Sequence, residues 1–201
     1  MKLYYTPGAC SLSPHIVLCE LGLAHELEKV DLNSHTTASG ADFYTINPKG
    51  YVPVLQLDDG ELLTEGPAII QYLAELKPAF GLLPTARLLE RARVQEWLNF
   101  IATELHKNFS PLFNPTSPDE VKAAARAAIG RRLGLFDKAL AGQDYLTGAR
   151  FSVADAYLFT IVNWTGHMGI DLGPCPAVSA FLERVRARPA VQQALKAEGL
   201  I

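Results

Sequence analysis

Cysteine is scarce in this chain: three in 201 residues, Cys10, Cys19 and Cys175, with no CxxC pair. An odd count without paired spacing speaks against the disulfide framework of a small secreted protein. Charge of one sign is scarce too. Eighteen Lys and Arg stand against 21 Asp and Glu, for a formal net charge of -3, and the basic residues are dispersed. That excludes the basic stripe by which a protein holds nucleic acid or an anionic lipid surface. No stretch approaches the roughly 18 apolar residues of a membrane span. The opening MKLYYTPGAC also lacks the apolar core of a secretory signal. A soluble cytoplasmic protein is expected. There is no P-loop, dinucleotide fingerprint, internal repeat or low-complexity tract, and the five histidines are read as offering no ligand spacing, so no metal is expected.

Apolar residues, by contrast, make up 49%, enough for a substantial core in one large or two small domains. KLYYT (2–6) reads as a strand and residues 11–22 as a helix, with Pro14 in its first turn and Gly22 as its stop. HELEKVDL (25–32) alternates like a half-buried strand, and a weaker helix is expected over 38–47. VPVLQLDDGELLT then gives two short strands around Asp59-Gly60, and GPAIIQYLAELK (66–77) an amphipathic helix opened by Pro67. This order fits a mixed sheet: a right-handed parallel crossover followed by an antiparallel hairpin at one edge. PAFGLLP (78–84) is a linker by its Pro and Gly content. Beyond it only helical periodicity remains, over 85–109, 117–141, 153–168 and 176–197. The expectation is an α/β domain over 1–77 and an all-helical domain over 85–201.

Three stretches carry chemistry. Cys10-Ser11-Leu12-Ser13 has the spacing of a redox CxxC with serine in the second place. At a helix start the sulfur would meet the positive end of the dipole and unpaired N–H groups, which favours a thiolate. With Ser13 where a resolving thiol would be, Cys10 would hold a mixed disulfide with an external thiol. A small residue filling a helix start is the bland alternative. Cys19 lies on an apolar helical stretch and reads as core, and Cys175, between two prolines, has no evident partner. Val52-Pro53 precedes a strand. If the bond is cis, the Val52 N–H and C=O could turn outward and pair with a peptide-like ligand. At Glu65-Gly66 a strand meets a helix, where backbone N–H groups would accept a carboxylate and the Glu65 side chain an ammonium. An α-amino acid carries both; a solvated glutamate on the helix dipole is the alternative.

Together with an N-terminal Tyr5 and His106-Lys107, these features resemble the glutathione S-transferase superfamily, in particular its bacterial beta class, over essentially the whole chain. The resemblance implies a thioredoxin-like N-terminal domain that binds glutathione as co-substrate, a helical C-terminal domain that shapes a pocket for small hydrophobic electrophiles, and a homodimer. It implies that Cys10 faces the glutathione sulfur, that the Val52 backbone beside cis Pro53 pairs with the tripeptide's cysteinyl amide, and that Glu65 and Gly66 hold the γ-glutamyl end. His35 stands where many relatives carry lysine for a glutathione carboxylate, and a mostly neutral histidine weakens that contact. Asn99 occupies the position that reaches across the family's dimer interface. Tyr5 and Ser11 are the hydroxyls that other classes use to hold the thiolate.

In RARVQEWLNFIATELHKNF, the residues Arg91, Gln95, Asn99, Thr103 and His106 recur at steps of four, four, four and three, a polar face, with Trp97, Ile101 and Leu105 on another. A polar stripe alone is most simply a solvated face. The resemblance directs it to the glutathione site, with Thr103, Glu104, Leu105 and His106 at its edge, His106 beside Cys10 and Lys107 adding positive charge. It also places Trp164 and His167, joined by Phe109 and Phe113, along the electrophile pocket; aromatics at helical spacing are more often core. Ser152 and Asp155 read as a capping box with a folding role. The activity implied is attack by the glutathione thiolate on electrophiles, with thiol transfer or peroxide reduction through Cys10 as a second activity. Rival readings are a non-catalytic ligand-binding or regulatory member of the same fold, and a specialised catabolic role.

Overall fold

The computed structural model describes residues 1–201, which divide into two compact units, Met1–Leu83 with Ala187–Ile201, and Pro84–Arg186. In the first unit, Leu3 sits at the middle of β1 (Lys2–Tyr5) and is fully buried, because β1 is flanked on both sides. β1 pairs in parallel with β2 (Glu26–Asp31), Leu3 opposite Leu27, and antiparallel with β4 (Val54–Gln56), Leu3 opposite Leu55. A two-residue β3 (Thr36–Thr37) borders β2, and β5 (Leu62–Thr64) borders β4, so the order is β3-β2-β1-β4-β5. The hairpin between β4 and β5 turns through Gly60 at φ 91°, the left-handed conformation that an Asp-Gly turn provides.

Every residue of α1 (Leu12–Glu20) from Leu12 to Leu18 is buried. A helix apolar all round needs cover on all sides. α2 (Gly66–Leu76) packs against it, and so does α9 (Pro189–Ala197), the last helix of the chain. Val191, Ala194 and Leu195 of α9 are buried, and Arg188 grips Glu20 through two hydrogen bonds of 2.6 and 2.9 Å. Residues 187–201 therefore pack with the first unit, although in sequence they follow directly on the second.

The helix expected over 38–47 is replaced by turns that follow β3 and a single 3₁₀ turn, Phe43–Thr45. Local side chains take the amides that a helix would use. Thr37 Oγ1 accepts from Ala41 N at 3.0 Å and Asp42 Oδ1 from Tyr44 N at 2.9 Å, while Gly40 at φ 91° turns the chain.

The second unit contains α3 (Leu88–Phe100), α4 (Ser110–Phe113), α5 (Asp119–Leu140), α6 (Val153–Val162), α7 (Trp164–His167) and α8 (Pro176–Arg186). α6 is buried along its whole length, packs against α3 and α8, and is opened by the reciprocal Ser152/Asp155 capping box. No helix of the chain is long and apolar enough to cross a membrane.

The helix expected to run unbroken to residue 109 keeps α geometry only to Phe100. A π turn follows over Ile101–Leu105 and a 3₁₀ turn over His106–Phe109. The Thr103 hydroxyl donates to the Asn99 carbonyl at 3.0 Å, and the His106 amide reaches back to Ile101. Such side-chain insertion at an i−4 carbonyl opens the ladder. One consequence is that the polar stripe does not continue in register: the 3.6-residue period linking Arg91, Gln95 and Asn99 is lost before His106.

Candidate functional site

Cys10 ends the loop Thr6–Cys10, two residues ahead of α1. The loop is clipped by side chains. Ser11 Oγ is fully buried, accepting from Thr6 N and donating to Thr6 O, both at 3.2 Å; Thr6 Oγ1 donates to Val30 O at 2.7 Å. Ser13 Oγ donates to the Cys10 carbonyl at 2.9 Å. Gly8, at φ 70°, turns its amide onto Glu198 Oε2 at 2.9 Å, and Glu198 Oε1 lies 2.8 Å from His15 Nδ1. The hydroxyls of Ser11 and Ser13 thus hold backbone.

The helix start differs from expectation. The Leu12 and Ser13 amides already bond to Ala9 and Cys10 carbonyls, and Pro14 has no N–H. Those amides are not the donors available to a sulfur. The Cys10 thiol instead donates to the Val52 carbonyl, Sγ to O 3.2 Å. The Val52–Pro53 bond is cis. Cys10 is half-buried, as is Tyr5, whose phenol is pushed up by burial and by the charge of Glu198.

A Cβ placed on Gly66 would meet Pro53 Cγ and Ser13 Oγ, each at 3.8 Å, so the starts of α1 and α2 and the Val52-Pro53 bend converge. Glu65, just before α2, is held at φ 69° and ψ 112°, a conformation rare outside glycine and costing of order 1–3 kcal/mol. Its carboxylate stands 69% exposed and is paired with Lys49 Nζ at 3.0 Å, and Lys49 also donates to Thr64 Oγ1 at 2.9 Å. Lys49, absent from the sequence-based candidates, brings a cation to this side of the first unit. His35, at φ 53°, stacks on Tyr44 with ring centroids 4.4 Å apart. Its Cδ2 lies 3.2 Å from where a Gly50 Cβ would be, one residue from Lys49.

In the second unit His106 Nδ1 lies 2.7 Å from the hydroxyl of buried Tyr157. The His106 ring meets Trp164 edge-on at 5.0 Å, and Trp164 in turn meets Phe109 at 5.4 Å and Phe113 at 5.0 Å. These candidates do assemble, but unequally. Phe113 is 51% exposed, whereas Phe109 and Leu105 are fully buried and support the others from within the core. Glu104 pairs with Arg132 at 2.7 Å, Asn99, Thr103 and Lys107 are exposed, and His167 is exposed at the end of α7.

Cys19 and Cys175 are poor nucleophiles. Burial, with Glu20 and Glu198, pushes the Cys19 thiol to about 11, and burial with Asp137 and Asp171 raises Cys175. Besides Lys49, sequence reading passes over Tyr157, Glu198 and His15. Tyr157 and Glu198 act over long sequence separations and leave no local signal. His15, four residues before Cys19, does leave one: an H-x-x-x-C spacing on a helix.

A mixed five-stranded sheet with helices, joined in one chain to a helical unit, is the architecture of thioredoxin-like glutathione transferases. The family description "Glutathione S-transferase, N-terminal domain" matches residues 8–76, and "Glutathione S-transferase, C-terminal domain" matches residues 100–189. The glutathione S-transferase GstA of Escherichia coli O157:H7 is 48% identical over 200 residues, covering 100% of both chains. The structure of a sphingomonad glutathione S-transferase complexed with glutathione is 50% identical, with a TM-score of 0.96 and 100% of each chain covered. That of the bacterial beta class enzyme from Sphingomonas chungbukensis is 49% identical, with a TM-score of 0.97 and the same full coverage. The chain belongs to the glutathione S-transferase family, and within it to the bacterial beta class. It is a transferase.

Proposed function

We propose that the first unit binds glutathione along the Cys10 loop, the Val52 backbone and the Glu65–Gly66 turn, and that Cys10 adds thiol transfer to conjugation of small hydrophobic electrophiles. The observation that carries this reading is the Cys10 thiol seated on the Val52 carbonyl, at the convergence of Ser13, Pro53 and Gly66. A tripeptide amide N–H that pairs with the same carbonyl takes the place of the S–H donor, so occupancy releases the Cys10 thiol. Glu65 receives the ligand's ammonium in exchange for Lys49, whose cation is then placed for a carboxylate. The Glu65 strain supports a ligand-binding role, because strained conformations persist where the surroundings over-determine them.

Two chemistries follow. In conjugation the glutathione thiolate attacks an electrophilic carbon and the leaving group departs with the bonding pair. In exchange the Cys10 thiolate attacks one sulfur of a disulfide, forming Cys10–S–S–R and expelling the other half as thiolate; a glutathione thiolate then frees Cys10 and leaves as the mixed disulfide. His106 is assigned a donor role: with the Tyr157 hydroxyl donating to Nδ1, the ring proton sits on Nε2. Phe113 supplies apolar surface for the electrophile, with the largely buried Trp164 ring supporting it from behind. A homodimer acting in the cytoplasm completes the reading, supported by the exposed Leu88 and Leu89 at the start of α3.

Mass spectrometry after exposure to oxidised glutathione tests it: an adduct on Cys10 is expected, and an unmodified Cys10 removes the thiol-transfer role. Retention on immobilised glutathione without turnover of a chloronitrobenzene, a hydroperoxide or a mixed disulfide would favour a binding protein instead.

A further inference from the structure

α1 and the connection that follows it carry a second group of reactive side chains, distinct from the Cys10 loop. His15 and Cys19 are one helical turn apart on the same face of α1, and His25 stands just before β2. One ligating atom from each lies within 4.8 Å of the others. The two imidazoles meet edge to face, with centroids 5.4 Å apart.

Both rings are already held at Nδ1, which leaves Nε2 as the ligating atom of each. His25 Nδ1 lies 2.8 Å from the Leu23 carbonyl, which can only accept, so Nδ1 carries the proton and Nε2 the lone pair. His15 Nδ1 lies 2.8 Å from the carboxylate of Glu198, itself anchored by the Gly8 amide, with the same result in the neutral ring. A ligating histidine backed at its other nitrogen by a carboxylate or carbonyl is the arrangement that fixes tautomer and direction at protein metal sites. His15 is buried while Cys19 and His25 are half-buried, which opens the cluster to solvent from their side.

We propose that His15, Cys19 and His25 form a binding site for a borderline-soft dication of the zinc type, separate from the transferase chemistry. Two imidazoles and one thiolate are a donor set that suits Zn²⁺, with water in the fourth position. On binding, the Cys19 S–H bond breaks, its proton passes to solvent and the sulfur donates its pair to the ion; no electron is transferred. Tetrahedral zinc sets ligand atoms about 3.3–3.7 Å apart. The cluster therefore closes by about 1 Å from its widest separation, within reach of Cys19 side-chain rotation and adjustment of the short connection through Gly22 and Leu23. The resulting charge of +1 lies near Glu20 and Glu198, both of which raise the Cys19 thiol in the metal-free chain.

The test uses the full chain with Cys10→Ser and Cys175→Ser, leaving Cys19 as its one thiol. Zn²⁺ is titrated against a chromophoric chelator and Co²⁺ serves as the spectroscopic probe. The expected result is one ion per chain, a thiolate-to-cobalt band in the near ultraviolet, and a melting temperature raised by zinc. Adding Cys19→Ser should abolish the band, and adding Cys19→Ser or His25→Gln should each lower affinity at least about tenfold, with circular dichroism confirming the fold. Unchanged affinity in both variants, a cobalt spectrum without the thiolate band, or no uptake from a large excess of zinc would overturn the proposal.

Discussion

The loop that carries Cys10 and the helical stretch that carries His106 each place one reactive side chain, and they do so by different physics. Around Cys10, hydroxyls and a carboxylate substitute for regular structure: Ser11, Ser13, Thr6 and Glu198 each bond to a backbone group of the loop or its support. Around His106, the backbone changes its own period, from α to π to 3₁₀, and the ring is then held by Tyr157 and the Trp164 aromatic group. The first arrangement depends on a few directed bonds, the second on distributed apolar contact. Removing a single directed bond should therefore disturb the first unit more than the second.

The largest effect is expected at the sulfur itself. Cys10→Ala should lower disulfide exchange by roughly 10²-fold or more while glutathione retention persists; equal exchange rates in variant and parent would show that another group attacks. Next is the distant clip. Glu198→Ala leaves the His15 ring and the Gly8 amide without their carboxylate, at a cost of about 3 kcal/mol by denaturant unfolding. A cost below about 0.5 kcal/mol, ordinary for surface positions, would show that the loop does not rely on it.

In the second unit the directed-bond exception is Asp155, whose carboxyl is pushed up to about 6 by burial despite accepting from Leu146 and Ser152. The folded chain therefore binds this proton more tightly than the unfolded chain. The stabilisation is full below about pH 4 and is lost as pH rises through about 6, some 2–3 kcal/mol in all. Unfolding of Asp155→Asn and the parent across that window should show the parent losing stability relative to the variant; parallel curves would place the ordinary carboxyl there.

Tyr157→Phe removes one bond to His106 from a ring that Trp164 still holds, so about 1 kcal/mol, or roughly fivefold in kcat/KM, is expected with a displaced pH profile. Lys49→Ala should be smallest. Its pair with Glu65 is solvent-exposed and contributes under about 1 kcal/mol, so a change in KM for glutathione of a few-fold at most is expected, shrinking with added salt.

Where a feature depends on neighbours in sequence, it is legible without coordinates. The Asp59-Gly60 hairpin, the Ser152/Asp155 capping box and the Pro67 start of α2 all appear where the pattern places them. The same holds for candidates gathered by one turn, such as Glu65 and Gly66. Legibility fails where long-range partners decide. Residues 38–47 have a weak helical pattern that Thr37 and Asp42 override, and residues 176–197 read as one helical segment although Arg188, Glu198 and the apolar face of α9 fix its second part to α1. The polar stripe of α3 misleads for a subtler reason: a uniform 3.6-residue period is assumed through a stretch where the ladder itself changes. His15 and Cys19 are open to view at helical spacing, but His25 joins them only because the short connection after α1 folds its ring back against His15.

Composition, turn chemistry and periodicity were enough to establish a mixed α/β segment followed by helices, with a sulfur at the head of the first helix, because those signals act over a turn or a strand. Which atoms that sulfur bonds to, which carboxylate steadies its loop and which helix covers α1 arose only as the chain folded. Each of those contacts joins residues tens to nearly two hundred positions apart, and no local energy term selects them.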